Sequence, residues 1–80
     1  MSDYRPIPCE LYDRYERAIL HHDRLRLSWR DDAGQAHVET VVPEDLETLA
    51  GEEFLLGHSL DGSPRRLRLD RILEAEAIAS

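Results

Sequence analysis

The spacing of apolar residues changes once along this chain, near residue 24, and this change limits the folds that the chain can adopt. Between residues 9 and 22 the apolar side chains recur with the helical period of about 3.6 residues. The face that they form consists of Leu11, Tyr15, Ala18, Ile19 and His22. From Arg24 the period becomes 2, because Leu25, Leu27 and Trp29 alternate with polar side chains. The sequence therefore predicts one helix that is followed by strands.

The first two predicted strands form a hairpin. The strand 24–30 is followed by the turn sequence Asp-Asp-Ala-Gly at 31–34, and alternation resumes over 35–42. Pro43 is expected to end this second strand, because proline has no amide proton to donate to a ladder. Proline and acidic residues favour the first turn of a helix, so the segment 43–47 predicts a short helical connector.

Two further strands are predicted later in the chain, on either side of a turn. They cover 53–59 and 65–72, and the turn between them reads Asp-Gly-Ser-Pro at 61–64. Residues 73–78 fit either a short last strand or a frayed helical turn. One helix followed by four or five antiparallel strands predicts an α+β fold that is mainly β, with a strongly bent sheet or small open barrel.

Length and composition describe one small domain. Eighty residues, of which 41% are hydrophobic and 34% charged, can fill one modest core, so a single domain over 1–80 with a core of about 4–73 is expected. The longest apolar runs fall far short of the roughly 20 residues that a membrane span needs. The opening residues have no basic start followed by an apolar stretch, and the chain has one cysteine, so a cytoplasmic location is expected.

The net charge favours some classes of binding partner over others. Ten basic residues, all of them arginine, stand against seventeen acidic residues, and the net charge is −7. This balance opposes nonspecific binding to nucleic acid, which requires basic residues that displace phosphate counterions. It favours a basic protein surface, including one that normally holds RNA, because complementary potentials steer association.

Three groups of residues, spread over most of the chain, occur together in a combination typical of one known family. They are Tyr4-Arg5-Pro6-Ile7-Pro8-Cys9, then Tyr12-Asp13 with Glu16, Ala18 and His21-His22, and finally Leu67-Arg68-Leu69-Asp70-Arg71-Ile72. In these groups the chain resembles the Rof (YaeO) family, whose members are Rho-specific inhibitors of transcription termination. The resemblance implies an open barrel like that of Sm proteins or the RNase P subunit, in which an N-terminal helix packs on a strongly bent antiparallel five-stranded sheet.

The resemblance also implies a partner and a surface. Members of the family bind the RNA-binding N-terminal domain of Rho with acidic surfaces and keep RNA out of its primary site. The positions that face Rho, by resemblance, are Tyr12, Asp13 and Glu16 on the first helix, with Glu10 beside them. The chain departs from the family pattern over 45–52, where Leu-Ala-Gly at 49–51 replaces a more polar and basic loop, so a contact from that loop is left open.

The acidic residues of the helix have two interpretations. Glu10, Asp13 and Glu16 are three residues apart, so neighbours lie on one side of the helix, opposite its apolar face. Charges in that position usually form only a solvated surface. The resemblance favours the other interpretation, in which these carboxylates meet arginines or lysines that otherwise hold phosphates. Tyr12 adds the kind of aromatic side chain that interface centres favour.

The sequence predicts neither catalysis nor a metal site. His21 and His22 are adjacent, so their side chains diverge by about 100° on a helix, and no paired ligand spacing occurs. His22 is expected to pack and to cap the end of the helix, and Cys9 is expected to be a buried structural thiol. The chain has no glycine-rich phosphate loop and no nucleophile motif, so no enzymatic activity and no cofactor are predicted.

The arginines of the strands support an alternative function, direct binding of RNA by an Sm-like barrel. These residues are Arg24, Arg26, Arg30, Arg65, Arg66, Arg68 and Arg71. Trp29 is expected in the core, so the sequence predicts no exposed aromatic side chains between the arginines. Nearby carboxylates are expected to pair with the arginines, namely Asp31, Asp32, Glu39 and Asp70. The main expectation is therefore a Rho inhibitor that is monomeric when free and does not bind nucleic acid, and the alternative is a module that binds RNA or another basic protein.

Overall fold

One helix packs on a five-stranded antiparallel sheet in the computed structural model, which describes residues 4–78. The elements are α1 (Cys9–His21), β1 (Arg24–Arg30), β2 (Ala36–Leu49), β3 (Glu52–Ser59), β4 (Pro64–Arg68), a 3-10 turn (Leu69–Arg71) and β5 (Ile72–Ile78). The strand order is β4-β3-β2-β1-β5. The predicted fold class, α+β and mainly β, is confirmed. Residues 73–78 belong to a strand, which was one of the two predicted possibilities.

The long strand β2 joins the two halves of the sheet. It pairs with β1 from Ala36 to Val41, and with β3 from Val41 to Leu49. The register shifts between Pro43 and Asp45, so Glu44 is an extra residue that forms a β-bulge. A bulge bends a strand, and it also accommodates a proline because the ladder is already interrupted there. The prediction that Pro43 ends the strand and begins a short helical connector is therefore wrong.

The core lies between α1 and the inner face of the sheet. Its buried residues are Tyr15, Ala18, Leu25, Leu27, Trp29, Val41, Leu55, Leu67, Leu69 and Ile72. The predicted apolar face of the helix is confirmed for Tyr15 and Ala18, and Trp29 is in the core as predicted. Within residues 4–78, no helix is long and apolar enough to cross a membrane.

Two side chains at the ends of α1 were expected inside and are outside. His22 caps the helix through its left-handed backbone, with φ of 58°, but its side chain is exposed. The turn in the backbone carries the side chain away from the apolar face, so the predicted packing of His22 is wrong. Cys9 is also exposed, because the first residue of α1 lies on the outer side of the helix. The prediction of a buried thiol is wrong as well.

The hairpin between β2 and β3 contains a strained residue that provides a test of the fold. Its two-residue turn places Ala50 at φ 53° and Gly51 at φ 80°, and alanine in the left-handed region costs about 1 kcal/mol. We expect Ala50→Asn to raise the free energy of unfolding by about 1 kcal/mol, because Asn-Gly is the preferred pair for such a turn. Urea unfolding measures the change. The matched control Ala33→Asn lies in a turn at a position without positive φ, and an equal gain there would contradict the explanation.

Candidate functional site

A groove of about 650 Å³ runs between one side of α1 and the part of β2 that follows the bulge. We call it the acidic groove, and its walls are Tyr12, Asp13, Glu16, Arg17, Ile19, Leu20, Asp45 and Leu46. The structure thus brings together three of the four residues predicted from the sequence. The fourth, Glu10, is exposed in the first turn of α1 and lies outside the groove. Glu10 lies three residues before Asp13, so it is about 60° from Asp13 around the helix axis, on the side away from Glu16.

The apolar part of the acidic groove is open to solvent. Leu20 is 74% exposed, and Tyr12, Ile19 and Leu46 are half-buried and pack against the core. An exposed leucine beside half-buried apolar side chains costs solvation free energy in the isolated domain, and a docked partner removes that cost. The groove therefore combines an apolar floor with a rim of carboxylates.

The carboxylates of the acidic groove have no ion-pair partner within residues 4–78. This holds for Asp13, Glu16 and Asp45. Asp45 accepts a hydrogen bond at Oδ1 from the Leu46 amide, at 2.8 Å, which orients its carboxylate. One basic side chain, Arg17, also lines the groove without forming an ion pair there. The negative charge of the rim is therefore available to a partner.

Two of these carboxylates, those of Glu16 and Asp45, act electrostatically on Tyr12. Burial raises the pKa of the Tyr12 phenol, and the negative charges of Glu53, Glu16 and Asp45 raise it further. Glu53 is held nearby by the Tyr4 hydroxyl, which donates to Glu53 Oε1 at 3.0 Å. A cation placed beside the Tyr12 ring would meet charges from α1, β2 and β3 together.

The arginines of β4 and of the 3-10 turn differ, because their charges are paired with carboxylates of the domain. The three arginines of β1 have no ion pair within residues 4–78, namely Arg24, Arg26 and Arg30. Arg65 donates to both carboxylate oxygens of Glu39, at 2.8 and 3.0 Å. The other pairs are Arg66 with Glu47 at 2.9 Å, Arg68 with Asp70 at 2.5 Å and with Glu52 at 3.5 Å, and Arg71 with Asp32. The prediction that nearby carboxylates pair with these arginines is confirmed for Glu39, Asp70 and Asp32.

Asp31 differs from that prediction, since its partner is a histidine. Asp31 Oδ2 lies 2.7 Å from His37 Nε2, and this hydrogen bond is the main reason why the Asp31 pKa is lowered. The histidine ring stacks on Trp29, with the ring centroids 5.3 Å apart. β1 and β2 place Trp29 directly opposite His37, and that cross-strand pairing aligns the three side chains.

A second groove, of about 400 Å³, lies among these arginines. Its walls are Trp29, Arg30, Asp31, Asp32, Glu52, Phe54, Arg66, Leu67, Arg68 and Arg71. The Arg66 guanidinium stacks over the half-buried Phe54 ring, 3.8 Å from its centroid. An aromatic ring therefore does lie among the arginines, which the sequence reasoning missed. Carboxylates interrupt the arginines, so they do not form a continuous basic face.

Sequence reasoning also missed the β2 wall of the acidic groove. It treated Asp45 and Leu46 as part of a helical connector, whereas they follow a bulge within a strand. The pattern does contain a signal of the bulge, because Val41 and Pro43 are two residues apart and the next inward residue, Leu46, comes three residues later. The residues described by the structure contain no group of three or more His, Cys, Asp or Glu that could hold a metal ion.

The described residues form a small domain in which one helix packs on a five-stranded antiparallel sheet, and both grooves described above lie on its surface. The sequence model of the WYL domain matches residues 10–77, and the chain belongs to the WYL domain family. A similar solved structure is the proteasome accessory factor B/C (PafBC) of Arthrobacter aurescens, with a TM-score of 0.78 and 21% sequence identity. The alignment covers 95% of this chain and 12% of that chain, and at this identity it shows the fold. No curated protein matches the chain.

Proposed function

We propose that this domain is a non-catalytic regulatory module that docks on a basic protein surface through the acidic groove. We further propose that the surface is the RNA-binding N-terminal domain of Rho, so that the module blocks access of RNA and inhibits Rho-dependent termination. The observation that supports this most is the contrast between two sets of carboxylates. Those beside the strand arginines are neutralised by ion pairs, whereas those of the acidic groove are not.

Each part of the proposal has its own support. Docking costs the unpaired carboxylates of the rim little free energy, because no internal ion pair must be broken before they contact arginine or lysine. A surface that holds RNA phosphates presents such cations. The sequence resemblance to the Rof family supports Rho as the partner, and it places Tyr12, Asp13 and Glu16 at the contact. WYL domains are typically regulatory sensors, which fits a module without catalysis. In this proposal the module is cytoplasmic and monomeric when free.

A direct binding measurement tests the proposal. Fluorescently labelled domain is titrated with Rho at ionic strengths of about 0.1 M and about 0.3 M, and unlabelled single-stranded RNA is then added as competitor. We expect saturable binding that weakens several-fold at the higher ionic strength, since salt shortens the screening length between exposed charges. RNA is expected to displace the domain. Binding that is indifferent to salt would contradict the electrostatic mechanism, and a ternary complex with RNA would contradict the block.

The second groove supports a second candidate function, which is direct binding of a nucleic acid or another anionic ligand. The stack of Arg66 on Phe54 beside Trp29 favours it, since base stacking on aromatic rings is a common basis for binding single strands. Membership of the WYL family favours it as well, because these domains are typically sensors of ligands or DNA. The pairing of Arg66, Arg68 and Arg71 with carboxylates opposes it. Labelled single-stranded RNA and DNA, titrated with the domain alone, separate the two functions, and binding that Phe54→Ala abolishes would favour the second.

A further inference from the structure

The bulge at Glu44 decides which side chains of β2 reach the acidic groove. Before the bulge, Val41 and Pro43 face inward, where they pair with the buried Ser59 and Gly57. After it, Leu46 faces inward, opposite the buried Leu55. Side chains alternate along a regular strand, so if residues 43–46 continued without a bulge, Leu46 would face outward.

The same argument applies to Asp45. Without the bulge, Asp45 would face the core, whereas with it Asp45 is exposed opposite Leu56 at the edge of the groove. The hydrogen bond from the Leu46 amide then fixes the direction of its carboxylate. Bulges are over-represented at sheet edges and next to functional sites, where they change the direction of a side chain. The wall opposite is α1, with Tyr12 and Glu16.

We propose that Glu16 and Asp45 are the two walls of one pocket, an inference that rests on the proposed function. The pocket takes a single arginine side chain of the partner, which lies beside Tyr12. The carboxylates come from different elements, so they can grip a guanidinium from two sides. The half-buried Leu46 and the exposed Leu20 suit the aliphatic stem of the arginine. The potential at Tyr12 agrees, since both carboxylates contribute to it. Arginine is favoured over lysine because its planar group bonds two carboxylates and stacks on an aromatic ring at once.

Neutral variants of the two walls test the pocket. Asp45→Asn and Glu16→Gln are each expected to weaken binding to the Rho N-terminal domain about tenfold, which is the effect of removing one partner of a close charge pair. The double variant is expected to bind more weakly than either single variant, but the additional loss of affinity should be clearly less than tenfold. The reason is that both walls contact the same side chain. The matched control is Glu76→Gln on β5. Glu76 carries the same charge, is exposed and lies outside the groove, so binding should stay within about twofold.

The possible outcomes separate this inference from the proposed function. If Glu16→Gln weakens binding and Asp45→Asn does not, the pocket is wrong while docking through α1 stands. If the loss of affinity in the double variant equals the product of the two single losses, the carboxylates contact different groups, and the shared pocket is again wrong. If the unmodified domain does not bind Rho, both ideas fail. Sedimentation of the domain alone completes the test, because a dimer that Asp45→Asn abolishes would assign the pocket to a second copy of this chain.

Discussion

The variant Asp13→Lys with Glu16→Lys is expected to bind Rho about 100-fold more weakly than the unmodified domain, a loss of about 2.7 kcal/mol. Both residues lie on the helix wall of the acidic groove, and neither has an ion pair in the part of the chain that the structure describes. Replacing them turns attraction to a basic surface into repulsion. The direct titration of labelled domain with Rho measures the loss, and RNA bound to Rho should no longer be displaced.

A charge-matched variant shows whether the location of these residues matters. Glu74→Lys with Glu76→Lys makes the same change in net charge on β5, where both glutamates are exposed and outside the acidic groove. It should retain most of the affinity, apart from the general effect of net charge on association. An equal loss in the two double variants would mean that only net charge matters. Unchanged affinity of the helix variant would show that α1 does not face Rho.

The helix variant should stay folded, so its loss of binding has a clear meaning. Asp13 and Glu16 are both exposed, and substitutions at such positions usually change the free energy of unfolding by no more than about 0.5 kcal/mol. A lysine at position 13 would lie four residues before Arg17, and a like-charge pair at this spacing costs a few tenths of a kcal/mol. Urea unfolding of both double variants confirms that they are compared as folded domains.

The helix and the first hairpin could be predicted from the sequence because their side chains follow simple periods. The change from 3.6 to 2 at Arg24 marks the boundary between α1 and β1, and the residues of the helix face that are buried follow from it. The same reasoning failed at Cys9 and His22. These residues lie at the ends of the helix, where the backbone direction, and not the period, decides whether a side chain is buried.

The site was only half predictable for a related physical reason. Tyr12, Asp13 and Glu16 are local neighbours on one helix, so their spacing alone places them together. Asp45 and Leu46 join them only through the bulge in β2 and through the packing of α1 on that strand. Proline with acids has a real preference for a helical turn, but pairing with β3 satisfies more backbone groups and overrides it. The ion pairs of Arg65 and Arg71 likewise depend on tertiary packing, since Glu39 is 26 residues from Arg65 and Asp32 is 39 residues from Arg71.

Gly57→Ala is expected to lower the free energy of unfolding by about 3 kcal/mol or more, a large part of the 4 to 12 kcal/mol, roughly, that a domain of this size has. Gly57 pairs with Pro43 at the start of the bulge. A Cβ atom at this position would overlap the Val42 carbonyl oxygen and lie 3.1 Å from the Pro43 Cα. These are backbone atoms, so no side chain can rotate to relieve the overlap. Urea unfolding monitored by circular dichroism measures the loss.

The overlap and ordinary glycine strain can be separated with Gly34→Ala. Gly34 has φ of 81°, and no atom lies within 4 Å of the place that an alanine methyl group would take, so alanine there should cost only about 1 kcal/mol. If Gly57→Ala costs no more than this control, the close approach of β2 and β3 does not determine the bulge. If it costs more and the remaining folded protein has lost affinity for Rho, the bulge both stabilises the sheet and presents Asp45. The same glycine would then support the fold and the acidic groove, because one backbone contact sets the alternation of β2.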